Sequence, residues 1–333
     1  MGGSQRGTTG LLGILVLVVT LSQPRWGEAQ GTPPAGSSAA LATSHLLPPS
    51  YTPHRVYDTK AKKFLDFEAL VARLGAADLV FVGEQHDDPG THRMELALLE
   101  GLARRRDSVV VALEMFERDV QPLLDQYLRG AASEEELLKG GRPWKNYASD
   151  YRPLVELARA RGWPVIASNV PRPLASLVGR GGLPALDTLH GESRAQIAEA
   201  LACPEDAYYD KFVAVMGDLS THGPAPAGAD SPKARVARMY QAQCLKDETM
   251  GESVARVWRP GRLVVHYNGS FHSDFRLGTA ERARRRAPDA KVVVVTAMPV
   301  KDLDLLHPSK EDRKRANYLL YVLAPQKADS AAR

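Results

Sequence analysis

Cysteine is almost absent: the 333 residues contain two, Cys203 and Cys244, and no C-x-x-C spacing. A cysteine-based zinc module is therefore excluded, while a disulfide between the two and a pair of buried free thiols both stay open. Long apolar runs are missing as well. The N-terminal run Leu11 to Leu21 is too short to span a bilayer and is cut off by Gln23, Pro24 and Arg25. Arg6 precedes it and small residues at Gly27 and Ala29 follow, the order expected of an export signal over residues 1–29. No cysteine stands behind the apolar core, which excludes lipid attachment there. The expected product is periplasmic or secreted, with no stable membrane span once the signal is removed. Charge of one sign is also lacking, since 43 Lys and Arg stand against 39 Asp and Glu. The basic residues gather at Arg104–Arg106 and Arg282–Arg286, at the ends of predicted helices, where they suit the negative end of the helix dipole. No aromatics interleave them, so nucleic acid is not an expected partner.

What is present is ample apolar material, 44% of the chain, enough for one large core. Residues 30–55 are rich in Pro, Gly, Ser, Thr and Ala and read as a disordered linker. Folding is expected from Val56, with Phe64, Phe67, Leu70 and Leu74 on one helical face before Gly75. Strand-like runs then alternate with helix-like ones. The strands are Leu79–Val82, Ser108–Leu113, Pro164–Ala167, Leu263–Tyr267, Lys291–Thr296 and Tyr318–Leu323. Predicted helices lie between them, among them a long one over Pro232–Trp258 and another opened by the capping box of Ser133 and Glu136. Nearly continuous apolar strands in this alternation predict an α/β domain over 56–325, with a mostly parallel sheet covered by helices on both faces. An insertion at about 179–230, with one helix near Arg194–Ala202, reads as a lid, and 326–333 as a tail.

Two of these strands end alike. Leu79–His86 and Arg262–His272 each run from an apolar strand into G-x-x-H, as Gly83-Glu84-Gln85-His86 and Gly269-Ser270-Phe271-His272. Ligands collect beyond the carboxyl ends of parallel strands, so the two imidazoles are expected at one crevice. Glu84 stands two residues before His86, and Glu114 ends another apolar strand, where an ionised carboxylate needs a partner: a cation, a metal or Arg118. Asp87 and Asp88 read as N-cap residues of the next helix, and His266 as core. Glu84, His86, Glu114 and His272 together make a mixed N/O donor set, suited to zinc, manganese, iron or cobalt and to acid–base work on an acyl carbon. Trp144, Tyr147 and Tyr151, beside Arg142, Lys145 and Arg152, offer either helix packing or the wall of a pocket for a flat anion; a tyrosinate can also ligate ferric haem. Gln243 and Asp247 share a helical face, with Glu248 beside them.

Five runs in this order, GEQHDDPGTHRMELALLEGL, VVVALEMFERDVQPLLDQYLRG, SNVPR, YQAQCLKDETMGESV and NGSFHSDFRLGTAERA, resemble the ChaN-like family of haem-binding proteins. That family falls within the wider Tiki and erythromycin-esterase-like superfamily. The likeness extends over about Tyr57 to Leu323. It implies an α/β fold, haem as cofactor, a role in iron acquisition, and a tyrosine that binds haem at a homodimer contact. The Tiki-like relatives imply the alternative of a divalent-metal hydrolase of peptides or esters, with both G-x-x-H motifs and a glutamate falling on Glu84, His86, Glu114 and His272. A degenerate scaffold that binds a small molecule or peptide is the third. The resemblance also implies that Asn169, Arg172, Gln243, Asp247 and Glu248 line the site. The chain departs from the many lipid-anchored members in having no lipidation cysteine. Tyr147 and Tyr151 are the haem-ligand candidates on chemistry alone.

Overall fold

The computed structural model describes residues 51–216 and 231–325. The expected signal segment, most of the linker, the Gly223–Ala229 part of the insertion and the tail lie outside these residues. The strands are β1 (His54–Asp58), β2 (Lys63–Leu65), β3 (Leu79–Glu84), β4 (Val109–Glu117), β5 (Val165–Asn169), β6 (Leu263–Gly269), β7 (Val292–Val300) and β8 (Tyr318–Leu323). They form one sheet of eight strands in the order β2-β1-β8-β7-β3-β6-β4-β5. From β8 across to β5 every neighbouring pair is parallel, whereas β1 pairs antiparallel with both β8 and β2. This is the mainly parallel α/β architecture that the alternation of apolar strands and helices predicts.

Alternate residues of each central strand enter different cores, as a period of two requires. Val80 and Val82 of β3 pack with the helices α1 (Phe67–Gly75), α2 (Pro89–Ala103), α3 (Gln121–Leu128), α4 (Glu134–Gly141) and α5 (Arg152–Arg161). Leu79 and Phe81 pack on the opposite face with Val254, Ala280 and Ala283. Further on come α6 (Arg172–Gly181), α7 (Gly191–Ala195), α8 (Ala207–Met216), α9 (Pro232–Val257), α10 (Gly278–Arg286) and α11 (Asp312–Arg315). Both faces of the sheet are thereby covered, which is why its strands carry no polar alternation. Among the described residues, no helix is long and apolar enough to cross a membrane.

Two local expectations change, and the open question of the cysteines is answered. Phe64 belongs to β2, not to the first helix, because Asp66 caps that helix by accepting from Ala69 N and so sets its start at Phe67. The helix expected over Arg194–Ala202 stops at Ala195. Beyond it, Ala198 N and Glu199 N donate to Thr249 Oγ1 and Glu252 Oε2 of α9, so that stretch satisfies its backbone on side chains instead of on a helical ladder. Cys203 and Cys244 form a disulfide that ties the segment before α8 to α9.

Candidate functional site

The strand order makes the site. The chain leaves β3 through α2 and returns as β4 two positions away, and β6 is later inserted between them. Such a switch point opens a crevice beyond the carboxyl ends of β3, β6 and β4. Register then aligns the motifs, with Gly83 opposite Asn268 and Glu84 opposite Gly269. A cavity of about 420 Å³ opens there, and Glu84, His86, Glu114 and His272 all line it. The two sequence-distant imidazoles and both carboxylates therefore share one crevice.

The motif glycines have a reason other than a turn. Gly83 is ordinary strand, and a Cβ on it would meet the Ser270 backbone at 2.9 Å. A Cβ on Gly269 would meet His86 Nε2 at 2.6 Å. Each glycine makes room for the segment that follows the other, and that close approach brings the two histidines together.

The four residues are drawn into two carboxylate–imidazole pairs. His86 Nδ1 bonds Glu84 Oε1 at 2.5 Å, and the buried Tyr151 hydroxyl donates to the same oxygen at 2.7 Å. His86 itself is half-exposed, with its ring 4.7 Å from that of Trp144. Burial alone would lower the His86 pKa; the Glu84 hydrogen bond and the charges of Glu114 and Glu84 outweigh it, and the pKa is raised. His272 is bracketed. Its Nδ1 bonds Asp247 Oδ1 at 2.7 Å and its Nε2 lies 3.3 Å from Glu114 Oε1. Burial again opposes the charged ring, yet Glu114 and Asp247 push the His272 pKa up to about 10. Burial would raise Glu114 too, but the His272 imidazolium, its hydrogen bond, the His86 charge and the Gly269 N–H at 2.8 Å hold its carboxyl well below the usual range. Arg118, one candidate partner for Glu114, turns away to Ser253, Glu252 and the Thr249 carbonyl.

The other expected site residues separate. Gln243 reaches the His272 ring at 3.3 Å and lines the crevice. Asp247 lies behind His272, where it also accepts from Tyr208 and Thr279 hydroxyls. Asn169 and Arg172 line an adjoining cavity of about 310 Å³ that shares Glu114, Trp144 and Lys246 with the first. Glu248 is elsewhere: it is buried against α10, where Arg282, Arg285 and Arg286 converge on it. Tyr147 and Tyr151 lie beneath the crevice floor, both buried. Burial, and for Tyr151 the Glu84 charge as well, raises both phenols, which opposes the tyrosinate that ferric haem would need. Arg142 and Arg152 beside them are tied to Glu117, Asp119 and Glu134. Asp88 caps α2, and His266 is core, hydrogen-bonded to Ser168 and Asn268.

Three participants went unread in the sequence. Lys246 was not singled out, although it lies one turn beyond Gln243. His92 and Glu95 extend inward from Glu84, and burial with the Glu84 charge pushes the Glu95 carboxyl well up. Their signal was a His and a Glu three apart on the helix that directly follows the first motif.

The chain is by class a doubly wound α/β protein with paired imidazoles and carboxylates at its switch point, the place where ligands of such sheets collect. The family model for haem-binding uptake, Tiki superfamily, ChaN matches residues 70–283, and the chain belongs to that family. Among solved structures it is similar to ChaN of Campylobacter jejuni, described as binding haem cofacially. The two share 18% identity and a TM-score of 0.59, over 81% of this chain and 96% of that one. A mutant erythromycin esterase in its open conformation is more distant, with 14% identity, a TM-score of 0.42, and 82% and 83% of the two chains covered. A Bacillus cereus protein gives 11% identity, a TM-score of 0.43, and 78% and 92% covered. No curated protein matches the chain.

Proposed function

We propose that this chain is an exported haem-binding protein with a role in haem and iron handling, and that its crevice at β3, β6 and β4 receives the haem. The observation that carries the reading is the state of His86. Its Nδ1 is held by Glu84, which leaves Nε2 as the ring nitrogen available to a ligand. A carboxylate behind an imidazole fixes its tautomer and raises its basicity, the usual support for a histidine that binds iron. The surroundings suit a flat apolar dianion. Trp144 and Phe271 supply aromatic wall, and Lys246 and Arg172 supply cations for two propionates. Bound haem would supply a redox-active iron, and His86 would be the residue to hold it, where the sequence alone offers Tyr147 or Tyr151 as candidates. The cofacial arrangement described for the Campylobacter protein suggests a homodimer, which sedimentation with and without hemin would detect. Hemin titration is the test: the wild type should saturate with a shifted Soret band, and Lys246→Ala with Arg172→Ala should weaken binding about tenfold or more. Unchanged affinity in that double variant removes the proposed propionate seat.

A second reading, hydrolysis of an ester or amide in the same crevice, is supported by the two carboxylate–imidazole pairs that face each other across it. The pairs fit proton transfer better than they fit a metal. Both His272 nitrogens are engaged by carboxylates, so a metal there would first have to displace a proton. In this reading His86 accepts a proton from water and the His272 imidazolium donates one to the leaving group. His272→Gln should then abolish turnover of a chromogenic ester panel, and the absence of any wild-type turnover would dispose of this alternative.

A further inference from the structure

Behind Glu84, on the side away from the crevice, three acceptors converge in the core. His92 and Glu95 stand three apart in the first turns of α2, and both side chains, like that of Glu84, are almost wholly buried. The His92 ring is oriented from outside the cluster. Its Nε2 lies 3.1 Å from the His86 carbonyl, which can only accept, so that nitrogen carries a proton. The other nitrogen, Nδ1, therefore faces inward, 2.9 Å from Glu95 Oε2 and 3.4 Å from Glu84 Oε2. Glu84 Oε2 and Glu95 Oε1 are buried, with no N–H or alcohol donor within hydrogen-bond reach. One ligand atom from each of the three residues lies within 4.8 Å of the others. Donors at about 2.0–2.2 Å from one ion stand roughly 3 to 4 Å apart, and His92 Nδ1 is already close to that spacing from both carboxylates, at 2.9 and 3.4 Å.

We propose that Glu84, His92 and Glu95 form a buried site for one divalent first-row transition metal ion. The donors are one imidazole nitrogen and two carboxylates with no thiolate, a set that suits zinc, manganese or ferrous iron and disfavours magnesium and calcium, which take oxygen alone. The Nε2–H bond to the His86 carbonyl is the outer support such a ligand needs, because it fixes the tautomer that presents Nδ1. The ion also has a role to play in the crevice. Glu84 uses its other oxygen, Oε1, to hold His86 and Tyr151. A metal on Oε2 locks that carboxylate and, through it, the orientation of His86. Glu84, His92 and Glu95 act as positioning residues here, and the site stands whether or not haem is the crevice ligand.

The full-length protein is stripped with a chelator and titrated with zinc chloride, or with manganese chloride, against a chromophoric competitor. The wild type should take up one equivalent of zinc. Loss of an outer support typically weakens a metal by about 10–100-fold, so loss of a ligand in His92→Gln or Glu95→Gln should cost about 100-fold or more. Glu135→Gln, at an exposed position of α4, should leave the affinity unchanged. Zinc X-ray absorption on the loaded wild type needs no variant, and it should report one imidazole and no sulfur in the shell. Failure of the wild type to take up zinc or manganese overturns the proposal, and a shared proton then balances the carboxylates. Two imidazoles in the shell, or uptake that survives both substitutions, overturns it as well.

Discussion

At the residue scale, the site depends on charge held in place by burial. His272 is an imidazolium because two carboxylates bracket it, and they stay ionised because it lies between them. Its pKa rises from 6.5 to about 10 on folding. A raised pKa contributes stability that is complete below the unfolded value and is lost as pH climbs through the folded one. The melting-temperature difference between wild type and His272→Gln should therefore be largest near pH 6 and shrink as pH passes 10. Scanning calorimetry from pH 6 to 11 checks this, and a difference that grows with pH contradicts it. Legibility at this scale followed backbone motifs. Glu84, His86 and His272 could be found because each ends or follows an apolar strand at the sheet rim, and Glu114 because it breaks the apolar run of β4, which continues to Glu117 through an irregular register. The sequence left Tyr147 and Tyr151 open between helix packing and pocket wall, because an aromatic beside cations reads the same whether its ring forms a floor or a wall. Their hydroxyl positions depend on how the turn Tyr147–Tyr151 packs under β3, which no local pattern records.

Among the elements, α9 does the most to assemble the molecule. One helix carries Gln243 to the crevice, Asp247 to the back of the His272 ring, Cys244 to the disulfide, and Glu248 to the Arg282, Arg285 and Arg286 side chains of α10. Glu248→Gln leaves the buried Arg282 short of its counter-charge. Breaking a buried pair costs about 3–5 kcal/mol, and the partial exposure of Arg285 and Arg286 reduces this to about 2–4 kcal/mol. Urea denaturation should show that loss, with hemin affinity retained below the transition; a midpoint unchanged from wild type would mean that α9 and α10 do not depend on this cluster. The extent of α9 was readable from its length and periodicity. The division of labour around it was not, since Asp247 and Glu248 are neighbours that serve opposite faces. The segment after α7 was misread for a similar reason, because its backbone partners are Thr249 and Glu252, some fifty residues away in sequence.

For the whole molecule, the alternation of strand and helix made the α/β class and both helical layers legible. The order of the strands was not, because apolar strands of one length are interchangeable until their connections are known. That order is what places β6 between β3 and β4 and turns two repeated motifs into one site. The disulfide fastens the irregular segment before α8 to α9. Closing a loop of that size restricts the unfolded chain by about 2–4 kcal/mol. Cys203→Ser with Cys244→Ser should lose about that much stability in chemical denaturation and leave the crevice intact. Reduction that costs nothing would show the unfolded chain to be insensitive to the link. The crevice is best tested through His86, whose ring is held at Nδ1 by Glu84 and is half-exposed in the crevice. Hemin titrated into wild type and His86→Ala should give a shifted Soret band in the first, and in the second a changed spectrum with affinity lower by at least about tenfold. Equal affinity and an identical spectrum in the two proteins would place the haem elsewhere.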